Sequence, residues 1–399
     1  MSCVAETALP LSKPATLPAW MTFLLAAACG LIAANLYYAQ PLVAPIAADL
    51  GLSPRLSGLL VTMSQVGYGI GLLLIVPLAD LVENRRLVLT TVALCALALV
   101  GAALATHPLP FLAAALLVGL ASVGVQIIVP YAAHLSPAET RGRVVGNVMT
   151  GLMLGIMMAR PASSFIASFS SWHVVYLASA AVMVALALVL RATLPPRQPE
   201  ARLSYGTLLL SLIELIRTTP VLRRRALYQS CLFGAFSLFW TTVPLLLASP
   251  AYGFGQRGIA LFALAGVAGA VGAPVAGRLA DRGHTRITTA MAMGLSAAAF
   301  ALTRLAEPGS TLALALLVAG ALLLDFGVQA NVVLGSRALF MLGAEARGRL
   351  NGLYIAIFFV AGAAGSAIGA WAFAQGGWPL AAWIGMAAPL AALLYLATE

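Results

Sequence analysis

The chain alternates between long apolar runs and short polar connections. Twelve runs of about 20 residues are nearly free of charge, which is the length that an α-helix needs to cross a lipid bilayer. The strands of a membrane barrel would instead read as shorter segments of alternating character. The predicted spans 1 to 12 are 20–42, 57–79, 87–106, 109–134, 144–169, 173–194, 225–249, 258–280, 287–305, 310–337, 350–374 and 378–397. The pattern predicts an all-α membrane protein of twelve transmembrane helices.

One polar connection is much longer than the others and divides the chain. It runs from about Arg191 to Arg225 and contains Pro195, Pro196, Pro199 and a basic cluster, 223–225. We therefore predict a terminal tail at 1–19, a six-helix bundle at 20–194, a linker at 195–224 and a second six-helix bundle at 225–399. The tail is polar and rich in proline, and the first apolar run is too long for a signal peptide, so we expect no cleavable signal.

The composition agrees with a lipid environment. The chain is 62% hydrophobic and 9% charged, whereas soluble domains carry about 45–50% apolar and about 25% charged residues. In lipid the backbone must satisfy its own hydrogen bonds, which leaves helices or closed barrels. No spacing of cysteine or histidine predicts a metal, a cofactor or a membrane enzyme.

The basic residues are distributed very unevenly between the two predicted faces. With the N-terminus inside, 18 of the 22 Lys and Arg residues fall on the cytoplasmic side, three fall outside and Arg160 lies within a span. Positive charge in short loops marks the cytoplasmic side. We expect both termini in the cytoplasm of a bacterial inner membrane, and we read the net charge of +10 as a topology signal and not as a nucleic-acid surface.

A half-length repeat joins the two bundles. Arg141-Gly142-Arg143 and Arg347-Gly348-Arg349 lie 206 residues apart, and each follows a predicted helix. Those helices carry Gly124-Val125-Gln126 and Gly327-Val328-Gln329, which lie 203 residues apart. Both offsets are close to half of 399, so the sequence indicates a duplicated bundle of six helices.

A loop motif completes the repeat and carries a family resemblance. Pro77-Leu78-Ala79-Asp80 with Arg85-Arg86 follows span 2, and Gly277-Arg278-Leu279-Ala280-Asp281-Arg282 with Arg286 follows span 8. The chain resembles the major facilitator superfamily, whose loop signature is Gly-x-x-x-Asp-Arg-x-Gly-Arg-Arg. The second copy fits it well, and the first keeps Asp80 and Arg85. The run 35–41, Asn-Leu-Tyr-Tyr-Ala-Gln-Pro, is similar to a bacterial branch of sugar-efflux and drug-efflux permeases.

The resemblance implies a cytoplasmic gate. In the superfamily the helix 2 signature meets helix 11 across the two halves, so the expected partners of Asp80 are Arg347 or Arg349, and those of Asp281 are Arg141 or Arg143. A carboxylate beside a helix N-terminus gains about 0.3–1 kcal/mol, and more when it pairs with arginine. The alternative is that these charges only mark topology. The expected gate residues are Asp80, Arg85, Asp281, Arg282, Arg141, Arg143, Arg347 and Arg349.

Two charges lie deep inside predicted spans. Arg160 in span 5 and Asp325 in span 10 each cost about 2.5–3.5 kcal/mol at mid-membrane, so each should face a cavity or a partner. Arg160 could instead extend towards the outer interface, and Asp325 could bond a neighbouring helix through Gln329. A direct pair between them is a further hypothesis. Ala115 stands where proton-coupled relatives carry Arg, which leaves Asp325, with Arg160, as the proton-coupling candidates.

Polar side chains accompany these charges in spans that line the central cavity of the superfamily. Single amides and tyrosines in spans also serve as helix contacts or interfacial anchors. The candidates for a substrate cavity are Asn35, Tyr38, Gln40, Gln65, Gln126, Tyr131, Trp240, Asp325, Gln329 and Asn331.

These features predict a secondary transporter that works by alternating access as a monomer, with proton-coupled export of a small drug-like or sugar-like solute. The alternatives are an uncoupled facilitator or importer of a small metabolite, and a membrane sensor or scaffold that transports nothing.

Overall fold

The computed structural model describes residues 17–199, 204–343 and 347–398. Its secondary structure in these ranges is helical. Ten helices are long and apolar enough to cross a membrane. The last of them is two helices joined at Gly376 and Gly377, where the backbone leaves helical geometry, and Ala19–Ala34 is a shorter apolar helix. This count agrees with twelve transmembrane helices.

Five spans begin and end near their predicted limits as uninterrupted helices in the described chain. These helices are Asn84–Ala103 for span 3, Ala138–Phe169 for span 5, Trp172–Thr193 for span 6, Thr285–Leu302 for span 9 and Thr311–Phe340 for span 10. Span 7 is Pro220–Leu247 and begins inside the predicted linker, with Pro220 in its first turn, where a missing N–H costs nothing. Spans 11 and 12 lie within Arg347–Leu396.

Span 1 is broken, and its own polar residue contributes to the break. The helix Ala19–Ala34 is followed by a turn, a short 3₁₀ segment Gln40–Leu42 and the helix Val43–Asp49. The Asn35 side-chain amide donates to the carbonyls of Leu31 and Ile32, at 3.3 and 3.1 Å, and so competes with the helical hydrogen bonds. The continuous span 20–42 that the apolar pattern predicts is therefore wrong in its second half.

Three more spans are interrupted. Span 2 is Leu59–Leu74 with a 3₁₀ end Val76–Asp80, which contains a proline. Span 4 is Pro108–Ala121 and Gly124–His134. Span 8 is Gln256–Ala268 and Gly272–Asp281, joined by a 3₁₀ turn at Gly269–Val271. Proline and glycine destabilise an α-helix, and a short 3₁₀ segment replaces the α-helix at such points.

The linker carries a helix that the sequence pattern does not predict. Tyr205–Thr218 is capped by Ser204, whose side chain accepts from the Thr207 N–H at 3.2 Å. Leu208 and Leu212 on one face of this linker helix are buried. The linker helix also touches both bundles, because the Tyr205 hydroxyl donates to the Leu74 carbonyl of span 2 while Ser211 accepts from Arg349 of span 11.

Both described chain ends lie on the same side of the bundle, which we call the terminal face, and the opposite side is the far face. The two halves meet along spans 2 and 11 and along spans 5 and 8. Thr62 of span 2 is 2.8 Å from the Ser366 hydroxyl of span 11, and Ser164 of span 5 is 2.6 Å from Gln256 of span 8. These contacts lie towards the far face and hold it closed.

Candidate functional site

The two charges inside the membrane meet at the contact between the halves. Arg160 belongs to the N-terminal half and Asp325 to the C-terminal half, and each is 3% exposed. The Arg160 Nη1 atom lies 4.0 Å from the Asp325 Oδ2 atom. Burial of Arg160 removes the alternative in which it extends to the interface.

The depth of the pair follows from helix geometry. Arg160 lies nine residues before the far end of its helix at Phe169, which is about 14 Å at 1.5 Å per residue. Asp325 lies fourteen residues after Thr311, about 21 Å from the far end of its own helix. Both charges are therefore well inside a hydrocarbon layer of about 30 Å.

Hydrogen bonds orient both members of the pair. The Arg160 Nε–H donates to the Gln40 Oε1 atom at 2.6 Å, and the Trp240 indole N–H donates to the Asp325 Oδ1 atom at 2.8 Å. Gln40 lies in the 3₁₀ segment that follows the break in span 1, so the break places its side chain opposite span 5. Each charge thus has a neutral polar partner as well as its counter-ion.

Aromatic rings enclose the guanidinium of Arg160. Its Cζ atom lies 4.3 Å from the ring centroid of Trp240, 4.9 Å from that of Phe236 and 5.3 Å from that of Tyr37. Guanidinium groups are weakly hydrated and are attracted to ring faces, by as much as about 2 kcal/mol when desolvated. We call Tyr37, Gln40, Arg160, Phe236, Trp240 and Asp325 the central cluster.

Glycines of span 8 make room for the Asp325 side chain. A Cβ atom at Gly266 would stand 2.7 Å from Asp325 Oδ2 and 2.7 Å from a ring carbon of Trp240, and one at Gly269 would stand 2.4 Å from Asp325 Cβ. Real Cβ contacts do not approach this closely, so span 8 must carry glycine here. The break in span 8 begins at this second glycine.

A cleft of about 930 Å³ runs between spans 1 and 5, and all of its lining residues belong to the N-terminal half. Its walls include Ala34, Tyr38, Ala159 and Ala162, which are close neighbours in sequence of Tyr37, Gln40 and Arg160. The lining is mainly apolar, and its polar members are Thr22, Tyr38, Thr140, Arg143, Asn147 and Thr150. The volume suits a drug-sized molecule, and the apolar walls suit an amphipathic one.

Several predicted cavity residues instead stabilise contacts between helices. Asn35 accepts from the Ser179 hydroxyl at 2.6 Å inside the N-terminal half, and the Gln126 amide donates to the Tyr68 hydroxyl at 3.1 Å. Gln65 donates to Ser237 at 2.8 Å across the two halves. These side chains have found polar partners, which is the helix-contact alternative that single polar residues in spans also allow.

The remaining predicted cavity residues are dispersed. The Tyr131 hydroxyl donates to the Pro195 carbonyl near the terminal face. Asn331 donates to Gln229 at 2.7 Å within the C-terminal half, and Gln329 is half-buried. The structure brings Gln40, Trp240 and Asp325 to the central cluster and Tyr38 to the cleft.

The predicted gate residues have other partners in this conformation. Asp281 pairs with Arg337 of its own half, Arg141 donates to the Ala133 carbonyl at 3.0 Å, and Arg349 donates to Ser211 at 2.8 Å. Arg85 donates to the Arg191 carbonyl, Arg143 lines the cleft, and Asp80 and Arg282 are exposed. The side chain of Arg347 lies outside the described residues. The gate pairs Asp80–Arg349 and Asp281–Arg141 are not formed here, and they remain a prediction for the opposite conformation.

Sequence reasoning left two members out of the central cluster. Phe236 and Trp240 lie one helical turn apart on span 7, and Tyr37 lies three residues before Gln40. Phe236 could have been predicted from its spacing to Trp240, which was a candidate, because residues i and i+4 share a helix face. Tyr37 carried no such signal, since the break in span 1 changes which of its residues face span 5.

Two bundles of membrane-spanning helices, with opposite charges buried at the contact between them, define a polytopic membrane transporter. A model of the Major Facilitator Superfamily matches residues 22–339. The chain belongs to this superfamily, and it is a transporter and not an enzyme.

Sequence relatives and solved structures agree with this family assignment. An uncharacterized transporter of Escherichia coli O157:H7, YgaY, is 38% identical over 355 residues, which is 89% of each chain. A chloramphenicol resistance protein of Streptomyces lividans is 26% identical over 76% of this chain and 78% of its own. The crystal structure of a point mutant of the nucleoside transporter NupG superposes with a TM-score of 0.77 at 16% identity, covering 95% of this chain and 99% of that one. The last likeness concerns the fold.

Proposed function

We propose that the protein exports a small organic solute in exchange for protons, by alternating access about the Arg160–Asp325 pair. The observation that carries the proposal is that two opposite charges, one from each half, are buried together at the contact between the halves. A pair placed across the moving contact is made in one conformation and separated in the other.

The far face is closed by contacts that a rocking motion can break. Thr62 with Ser366, and Ser164 with Gln256, are hydrogen-bonded contacts between neutral side chains of the two halves. The Arg160–Asp325 pair also joins the two halves, and unlike these contacts it is formed by two charged side chains. A change in its charge therefore biases the equilibrium between the two conformations, because a ligand or proton shifts a population only through differential interaction.

Asp325 is the group that carries the proton in this proposal. Among the described residues it is the one carboxylate in the middle of a membrane span. When Asp325 is ionised it attracts Arg160 and favours the closed far face. When a proton neutralises it, that attraction disappears, and the two halves can separate towards the far side.

The proposed orientation in the membrane rests on the distribution of arginines, and the proposed direction of transport rests on one relative. The terminal face bears most of the arginines, so we place it in the cytoplasm of a bacterial inner membrane. In this orientation the closed far face is the outer one. The relative named for chloramphenicol resistance supports export of amphipathic aromatic compounds. In the outward-open conformation we expect Asp80 and Asp281 to pair with the arginines of the opposite half.

Proteoliposomes with an imposed pH gradient test the proposal, with chloramphenicol as the probe. We expect uptake driven by an acidic interior, and we expect Asp325→Asn to lose the dependence on the gradient. Gln198→Met, at an exposed position of the linker, is the control with wild-type flux. Equal flux with and without the gradient in the wild-type protein would remove proton coupling and leave a facilitator.

A further inference from the structure

We propose that Arg160 and Gln40 together recognise an uncharged hydrogen-bond acceptor on the transported molecule, a carbonyl or nitro oxygen, and that Asp325 makes this site select against carboxylates. The inference rests on the proposed function, since it places one polar group of the substrate at the central cluster.

Two donors of the central cluster lack partners in the described structure. They are the Nη2 group of Arg160 and the Nε2 group of Gln40, and both are inaccessible to solvent. The amide of Gln40 cannot be turned to hide its donor, because its Oε1 atom already accepts from Arg160 Nε at 2.6 Å. An unsatisfied buried donor costs about 1–3 kcal/mol, and more when it is charged.

The two donors belong to the same half, on spans 5 and 1. The short Arg160–Gln40 hydrogen bond joins the two side chains that carry them. The carboxylate, Trp240 and Phe236 come from the other half. The donors therefore stay together on the N-terminal half, and an acceptor that enters between the halves while Asp325 is ionised can meet both.

Charge balance decides which acceptor fits. Arg160 and Asp325 together carry no net charge, so a neutral oxygen can bind the spare donors without leaving an unpaired charge in the membrane interior. A carboxylate in the same place would leave a net charge of −1, which is costly in a medium of low dielectric constant. The rings of Tyr37, Phe236 and Trp240 add flat apolar surfaces that suit a planar group.

Titration calorimetry in lipid nanodiscs tests the inference with three probes on one scaffold. These are chloramphenicol, its hemisuccinate ester, which adds a carboxylate, and its reduced form, in which an amine replaces the nitro group. We expect the wild-type protein to prefer chloramphenicol over both. Gln40→Met should weaken chloramphenicol binding by about tenfold, as expected for one lost hydrogen bond.

Two further variants complete the test. Arg160→Lys keeps the positive charge without Nη2 and should also weaken binding of chloramphenicol, and it serves where Gln40→Met does not fold. Asp325→Asn leaves a net charge of +1 and should reverse the preference in favour of the hemisuccinate. Gln198→Met makes the same chemical change as Gln40→Met at an exposed linker position and should bind as the wild type does.

Three results would overturn the inference: no binding of any probe to the wild-type protein, unchanged affinity in both Gln40→Met and Arg160→Lys, or a wild-type preference for the hemisuccinate. Failure of the proposed function has a different signature, since flux that ignores the pH gradient leaves these binding preferences intact.

Discussion

A double-mutant cycle on the central ion pair tests most directly whether the two halves are coupled there. The proteins compared are the wild type, Arg160→Met, Asp325→Asn and the double variant. Each single variant leaves one charge buried without its counter-ion. The double variant removes both charges and keeps side chains of similar size.

The magnitude follows from the separation of the two charges in the structure. At 4.0 Å, two unit charges attract by about 4 kcal/mol with an effective dielectric constant near 20. Removing one partner of a buried pair generally destabilises by about 3–5 kcal/mol. The remaining partners, Trp240 for Asp325 and three rings for Arg160, place the expected loss near the lower value, about 3 kcal/mol for each single variant. The double variant should lose much less than the sum.

The assay is the free energy of unfolding, measured by denaturant titration of purified protein in mixed micelles. The expected coupling energy is about 2–4 kcal/mol, which is well above the error for independent sites. Single-variant losses that add up in the double variant would contradict this coupling, because additive effects mean that Arg160 and Asp325 do not interact.

Three further predictions concern the contacts between helices. In a background without native cysteines, Thr62→Cys with Ser366→Cys should form a disulfide, since the native hydroxyl oxygens lie 2.8 Å apart. This disulfide should stop chloramphenicol flux until it is reduced. Flux that persists in the crosslinked protein would contradict the proposal that the far face opens during transport. Gly155→Ala should lower the unfolding temperature by overpacking against the Gly30 carbonyl at 2.2 Å, while Gly101→Ala, whose Cβ meets only an alanine methyl at 3.7 Å, should not. Gly266→Ala should abolish gradient-driven flux at near wild-type expression, measured in proteoliposomes, because its Cβ displaces the Asp325 carboxylate.

The apolar pattern was sufficient for the fold class, and the repeat together with the loop signature indicated the family. Both signals are averages over many residues, so errors at single positions do not change them. The breaks at Asn35, Ser122 and Gly269 were not predicted, because a single polar or small residue inside an apolar run is compatible with either a straight or an interrupted helix.

The candidate site was predicted in part. Arg160 and Asp325 were candidates because they lie deep in apolar runs, and Gln40 and Trp240 were candidates because the resemblance places spans 1 and 7 around the cavity. Asn35 and Gln126 were candidates on the same grounds and became helix contacts inside the N-terminal half. Hydropathy reports that a polar group is in the membrane, but it does not report which direction the side chain faces once a helix breaks.

The fold class could be read from the amino-acid order, because lipid imposes length and hydropathy on every helix, and the repeated loop motif indicated the transporter family. Three features required the packed molecule: Arg160 and Asp325 meet, Gln40 and the rings of Trp240, Phe236 and Tyr37 surround the guanidinium, and the far face is closed. Those contacts join residues up to 304 positions apart in the chain, Thr62 and Ser366, and they depend on how two bundles pack and not on any local pattern.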